Sequence, residues 1–453
     1  MSINLKGCQV FEIYLLLMTN FTIFVTVGIY AKNKRITGLL FIVVIMFLYQ
    51  MLGFWLYSNF PELSYIFDIG TIENNMDNVI STLILFTILN VLFFSSYIFF
   101  LNKNLKTNLH QHDIFMNSKT MICRYFYIIS AVGIFALYLQ VFLGGNVMNR
   151  ALNIYSTYQF AGLISIVARW SILYAIVKYY IYEKFDKHII MSLALIVIAG
   201  LVSGTSTNTL ITILPFFILY TYKNKELPIK TLFYIGVSGY MLLTILRFAR
   251  YSTHQFFTGA SNRISLIDFM SASGLEDKSA MQLSAQGSID GFAPMLSLIT
   301  HFDNIQNQYD LHGQSYLNAF VSFIPGIIAP WKTDFLNFYK PDFILGSYLA
   351  TFFHAKNHVL LPSGFWGEAY LNFGFLGIII VAFVFGYLMA KNENLFNKMK
   401  YKIIPPPILA AIVISSFILM CRMYFSAFVA NIVFLMIPFI ILYFLPKKKR
   451  RRT

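Results

Sequence analysis

Residues 79–101 read VISTLILFTILNVLFFSSYIFFL, with no Asp, Glu, Lys or Arg among them. At about 1.5 Å of rise per residue, a helix of that length matches the hydrocarbon core of a bilayer, about 30 Å. Lipid offers no water to an unpaired backbone, so a run like this must close its hydrogen bonds within itself. The stretch is one of about eleven. The others fall at 9–30, 36–57, 123–143, 159–182, 188–203, 208–222, 231–249, 370–390, 404–420 and 427–446. The fold class that follows is an all-α polytopic membrane protein. Runs six and seven are short and are separated only by Gly204-Thr205-Ser206-Thr207, which predicts a tight hairpin.

Composition points the same way. Of 453 residues, 58% are hydrophobic and 12% are charged. A soluble domain carries about 25% charge, and so few polar side chains could not cover a water-facing surface. The 47 Phe and 29 Tyr suit lipid-facing and interfacial positions respectively. The net charge of +15 does not mark a nucleic-acid binder, because the cations sit in short loops between apolar runs. Cys8, Cys123 and Cys421 are far apart and lack metal-ligand spacing, so they read as small packing residues. The first apolar run, beginning near Gln9, is too long for the core of a signal peptide and reads as a retained helix.

Cations fix the expected orientation. Connections at 32–35, 103–124, 184–187, 223–230 and 391–402, with the tail 447–452, hold 22 Lys and Arg. The alternate short connections and the N-terminal tail hold three: Lys6, Arg150 and Arg422. Positive loops stay inside, so the N-terminus is expected outside and the C-terminus in the cytoplasm. The external loop 58–78 agrees, carrying Glu62, Asp68, Glu73 and Asp77. The basic tail reads as an anchor near anionic membrane lipid.

One connection is long. Residues 250–369 divide the chain into helices one to eight (1–249), an external loop, and helices nine to eleven with the basic tail (370–453). A loop of that length is uncommon unless it is functional. Its amphipathic pieces Phe292–Phe302 and Tyr316–Ile328 predict a small helical cap lying on or dipping into the bilayer. The two halves show no internal repeat, which weighs against a transporter.

Ionisable residues inside the membrane usually mark a site. Arg169 lies near the middle of the fifth run; it is either functional or half of an internal ion pair that fixes packing. Lys178 is nearer the inner end and can snorkel. Arg247 and Arg250 end the eighth run, three apart and on one face, where they could clamp a phosphate or snorkel to lipid phosphates. Arg422 breaks the inside preference in the last outward turn, so an anion is expected beside it. The long loop adds His301, His312, His354, His358 and Lys340, among others. His354 and His358 are four apart, but Asn357 stands beside them and no acidic ligand is near, so no metal site is expected. Neither a GxSxG elbow nor a GxxxxGK[ST] loop occurs. The segment Leu361-Pro362-Ser363-Gly364-Phe365-Trp366-Gly367-Glu368-Ala369-Tyr370-Leu371-Asn372-Phe373-Gly374 is the most distinctive. A carboxylate in such an aromatic setting can act as a base. The competing reading is that these residues only shape the start of a helix.

Together, Gly313-Gln314-Ser315-Tyr316, Phe323-Ile324-Pro325, Lys340-Pro341, Pro362-Ser363-Gly364 and Gly367 to Gly374 are similar to the outer loop and following helix of the bacterial Wzy family. These are the O-antigen, or oligosaccharide repeat unit, polymerases of lipopolysaccharide biosynthesis. Arg250-Tyr251 resembles the family's cation at the end of the preceding helix, and Arg422 its arginine in the last outer turn. Ser206 departs from the pattern, standing where the hairpin turn often has an arginine. The resemblance implies a GT-C-like, metal-independent glycosyltransferase without a cofactor. It would transfer a growing glycan from undecaprenyl pyrophosphate onto a new lipid-linked repeat unit at the outer face of the inner membrane. Its partners would be undecaprenyl-pyrophosphate-linked oligosaccharides, membrane lipids and a chain-length regulator, with no nucleic acid. Under this reading Arg250, Arg422, Arg169, Arg247 and Lys340 bind pyrophosphate. Glu368 is the base, with His312 or His358 as substitutes. An O-antigen ligase, which transfers the same kind of glycan to the lipid A core, and a flippase or transporter are the rival readings. A membrane acyltransferase would need a His-centred motif that the scattered histidines do not form.

Overall fold

The computed structural model describes residues 2–59, 72–101, 119–144, 164, 166–203, 206–224, 291–309, 311–321, 331, 363–396, 404–421 and 423–444. Every regular element among them is helical. The sequence places α1 at Ser2–Lys34 and α2 at Thr37–Phe47, the latter running through a π turn at Leu48–Leu52 into α3 at Gly53–Asn59. There follow α4 (Met76–Phe100), α5 (Lys119–Gly144), a 3₁₀ turn at Arg169–Ile172 leading into α6 (Leu173–Tyr182), α7 (Lys187–Ser203) and α8 (Ser206–Asn224). Three short helices, α9 (Phe292–Thr300), α10 (Phe302–Gln308) and α11 (Gln314–Val321), precede α12 (Gly364–Phe396), α13 (Pro406–Met420) and α14 (Phe425–Phe444).

Six of these spans are long and apolar enough to cross a membrane: Cys8–Lys34, Thr37–Asn59, Met76–Phe100, Lys119–Leu139, Gly364–Phe396 and Phe425–Phe444. Lys187–Ala199 and Pro406–Met420 are shorter apolar helices. Helices therefore stand at ten of the eleven expected runs, and the eighth, 231–249, lies outside the described residues. Helices α7 and α8 pack together on either side of the expected hairpin turn. The chain is a polytopic α-helical membrane protein.

The centre of the bundle is aromatic and tight. Helix α12 packs most extensively on α4, and α13 packs on both α12 and α14. Phe93 of α4 stacks on Phe417 of α13 with ring centroids 5.4 Å apart, and Phe365 of α12 closes on the same Phe417 at 5.4 Å. The outward faces stay apolar: Phe11, Phe135, Leu376 and Phe444 are exposed, as a lipid-facing belt requires.

Two features depart from the apolar runs. First, the ninth run extends upstream, since α12 starts at Gly364 and not near 370. Gly364, Gly367 and Glu368 dilute the hydropathy of that first turn, but Phe365 and Trp366 are buried and hold it in the bundle. Second, Gly374 has φ +59 and ψ −145 and breaks α12 into two helical segments. Only glycine takes such a backbone without steric cost.

Helix α9 is not a lid resting on the surface. In α9, Phe292 through Leu298 are all buried. Phe292 meets Phe54, Tyr57 and Phe86, and the N–H of Gly291 donates to Tyr49 O at 3.0 Å beside the π turn. This amphipathic piece dips into the bundle. Helix α11 lies against α14, with Leu317 and Phe320 exposed on its other side.

Candidate functional site

Glu368 is wholly buried in the first turns of α12. The hydroxyl of Ser315, on α11, donates to its Oε1 at 2.7 Å. The backbone N–H of Phe425, which opens α14, donates to its Oε2 at 2.6 Å. A carboxylate at a helix N-terminus meets both an unpaired N–H and the positive end of the helix dipole. One side chain thus ties three elements together.

Asn372 lies one turn below Glu368 on the same face. Its Nδ2 donates to Ser315 Oγ and to Glu368 O, both at 2.7 Å, and its Oδ1 accepts the N–H of Gly313 at 2.9 Å. The turn carrying His312 is thereby pinned to α12. His312 is exposed and holds φ +35, a left-handed backbone uncommon outside glycine. Tyr316 covers the cluster, stacked on Phe373 at 6.2 Å and edge-on to Phe425 at 5.5 Å. Burial pushes its phenol well up, and the charge of Glu368 adds to the shift. The Tyr316 hydroxyl, Gln314 Oε1 and Trp366 Nε1 have no hydrogen-bond partner among the described residues.

Arg169 meets α14 further along, at Asn431 and Phe434. Its Nη1 donates to Asn431 Oδ1 at 2.8 Å, and the guanidinium lies 5.9 Å from the Phe434 ring centre. Tyr424, next to Phe425, is close enough to interact with it electrostatically. No carboxylate pairs with Arg169 among the described residues; the two ion pairs there are Lys178–Asp186 and Lys223–Glu183. The 3₁₀ turn that carries Arg169 is held locally. Trp170 Nε1 donates to Phe434 O at 2.9 Å, and the Ser130 hydroxyl donates to Ser171 O.

Arg422 lies outside the described residues, but its neighbours Cys421 and Met423 do not. Gly364, at φ +70, packs so close to this turn that a Cβ would sit 2.4 Å from Cys421 O. The first residue of α12 therefore abuts the turn between α13 and α14. Of the remaining sequence candidates, His358, Arg247, Arg250 and Lys340 also lie outside the described residues.

The described geometry brings Glu368 to the start of α14, ties the His312 turn to α12 beside it, and sets Arg169 further along α14. Ser315 and Asn431, both neutral and remote in sequence, help hold Glu368 and Arg169 respectively. Ser315 and Asn372 stood in the quoted motifs without a role, while Asn431 was not singled out. The i, i+4 spacing of Glu368 and Asn372 is the signal that could have paired those two.

The model of the O-antigen polysaccharide polymerase Wzy family matches residues 363–450. Over this segment the chain is similar to the Wzy family. The Wzy match begins at Ser363, immediately before α12, and runs through α13 and α14, so it contains Glu368, Asn372, Arg422, Phe425 and Asn431. Glu368, Asn372, Phe425 and Asn431 of the described network thus lie within it, and Gly313, Ser315 and Arg169 join it from outside. No curated protein and no solved structure was found to match the chain.

Proposed function

We propose that this chain is a lipid-linked repeat unit polymerase. It transfers a growing undecaprenyl-pyrophosphate-linked glycan onto a new lipid-linked repeat unit at the outer face of the inner membrane. The observation that carries the reading is the junction of Glu368 with the N-terminus of α14 inside the Wzy-matched segment, with Arg169 bonded to the same helix. An eleven-span, GT-C-like arrangement goes with this reading, as does a periplasmic N-terminus.

In the proposed reaction, an acceptor hydroxyl oxygen bonds to the anomeric carbon of the donor glycan. The bond from that carbon to the pyrophosphate oxygen breaks, and the lipid pyrophosphate leaves with the electron pair. Guanidinium groups of Arg169 and Arg422, with Arg250, Arg247 and Lys340, offset the charge growing on the leaving group, the task a metal ion performs elsewhere. The hydroxyl proton passes to a base. Glu368 is assigned that role, as a buried carboxylate inside the Wzy-matched segment. Among the described carboxylates only Glu368 and Glu393 are buried, and Glu393 lies at the far end of α12. His312, exposed on the turn above, and His358 stand as substitutes.

The reading is tested by deleting the gene and examining surface glycan. Single repeat units on the lipid core support a polymerase, and bare core supports the rival ligase. Reconstituted protein that moves lipid-linked glycan across a bilayer without lengthening it would support the flippase instead.

A further inference from the structure

At the other end of the bundle, α5, α6 and α7 enclose a cavity of about 490 Å³. It lies on the face that the cation count assigns to the cytoplasm. Its lining includes Arg124 from α5, Lys178 from α6, and Lys184, Asp186 and His188 from the turn into α7, with Tyr127, Tyr174 and Tyr182 between them. The network at Glu368 and Arg169 does not involve it.

The charges in this cavity are unequally used. Lys178 pairs with Asp186 and lies 5.3 Å from the Tyr174 ring centre. Asp186 also caps α7, accepting the N–H groups of His188 and Ile189 at 3.1 Å each. The one carboxylate is therefore consumed twice over, and so is the helix N-terminus that could otherwise attract an anion. Arg124 and Lys184 are exposed and have no carboxylate partner among the described residues. Three cations face one anion, leaving an excess of two positive charges in a cleft edged by phenols.

Immediately beyond the cavity the surface turns apolar. Ile128, one turn further along α5, and Ile190 and Met191, at the first turns of α7, are all exposed. A soluble anion would gain nothing from that border, whereas a lipid would lay its acyl chains along it. We propose that this cavity binds the phosphate of an anionic phospholipid of the inner leaflet. Arg124 and Lys184 hold the phosphate oxygens, and Tyr127 and Tyr182 border the headgroup. Basic pockets between helices at this membrane face have the chemistry such headgroups need.

The test uses purified full-length protein in detergent, with lipid retention read by native mass spectrometry and thermal midpoint read in parallel. The probes are phosphatidylglycerol, phosphatidylcholine and inorganic phosphate. Wild-type protein should retain phosphatidylglycerol under conditions that strip phosphatidylcholine. The double variant Arg124→Gln/Lys184→Gln should bind it about 30-fold more weakly, since each cation near a headgroup adds to the attraction. Lys187→Gln, an exposed lysine outside the lining, should behave as wild type, which separates the cavity from general surface charge. Equal retention by wild type and double variant would overturn the proposal, as would equal retention of the two lipids. Stabilisation by millimolar inorganic phosphate with no lipid retained would overturn the lipid source.

Discussion

Glu368 and Glu393 occupy opposite ends of α12, and each carboxylate accepts a backbone N–H at the start of another helix. Glu368 takes Phe425 N–H at 2.6 Å, and Glu393 takes Gly38 N–H at 3.0 Å together with the Tyr97 hydroxyl at 3.0 Å. Helix α12 is thus fastened by an acid at each end, to α14 at one and to α2 at the other. Only the first of these fasteners lies at the candidate site.

Substitutions at the two acids should therefore separate chemistry from architecture. Glu368→Gln keeps an acceptor for Phe425 N–H but cannot take a proton. It should insert normally and lose about 10²- to 10⁴-fold in polymer formation, the usual contribution of a general base. Glycan ladders and purified-enzyme rates measure this. Undiminished rates would remove Glu368 as the base and leave it a positioning residue.

Glu393→Ala should act on stability alone. It leaves a backbone N–H and a phenol unmatched in the buried interior, at a cost of about 1–3 kcal/mol. The thermal midpoint in detergent should drop while folded protein keeps wild-type turnover. Lost turnover in fully folded protein would contradict this division of roles.

Ser315→Ala and Asn372→Ala should loosen α11 from α12. Each removes hydrogen bonds worth about 1 kcal/mol apiece. Amide exchange across 314–321 should accelerate in both, more in Asn372→Ala, which also frees Gly313 N–H and Ser315. Unchanged exchange would mean that stacking of Tyr316 on Phe373 suffices to seat the helix.

Arg169→Met should abolish long chains with little loss of stability, because its described partner is a neutral amide. Arg422→Ala and Arg250→Ala should do the same. A wild-type ladder from any well-expressed variant would take that residue out of the pyrophosphate site. Asn431→Leu tests the support: it should leave Arg169 unanchored and reduce turnover without eliminating it.

Asp186 gives a pH signature at the opposite face. Burial raises its carboxyl, but Lys178 and the N–H groups of Ile189 and His188 outweigh that and hold it below the ordinary 3.8. A folded-state value below the unfolded one contributes stability above pH about 4 and loses it as pH falls through the folded value. The midpoint difference between wild type and Asp186→Asn should therefore shrink on acidification below that point. A gap that persists undiminished would assign the effect to helix capping by either side chain.

The spanning helices were legible because lipid imposes a length and a composition that ordinary sequence statistics reveal, as in 79–101. Glu368 was legible as an unusual acid, and Arg169 as a cation too deep to escape. Their partners were not. Ser315 and Asn431 reach the two residues from 53 and 262 positions away, and periodicity carries no record of such pairings. The start of α12 was hidden by two glycines and a glutamate whose polarity is compensated only by tertiary burial. The Gly374 break was hidden too, since glycine is common within membrane helices that stay straight.

The burial of α9 bears on how the protein is made. Phe292 settles among side chains of α3 and α4, which the ribosome delivers earlier, while Gly291 before it packs on Trp366, delivered afterwards. Helix α9 has no finished surroundings until α12 emerges. It is not a detachable ectodomain: secreted by itself, it would present Phe292, Met295, Leu296 and Leu298 to water and aggregate.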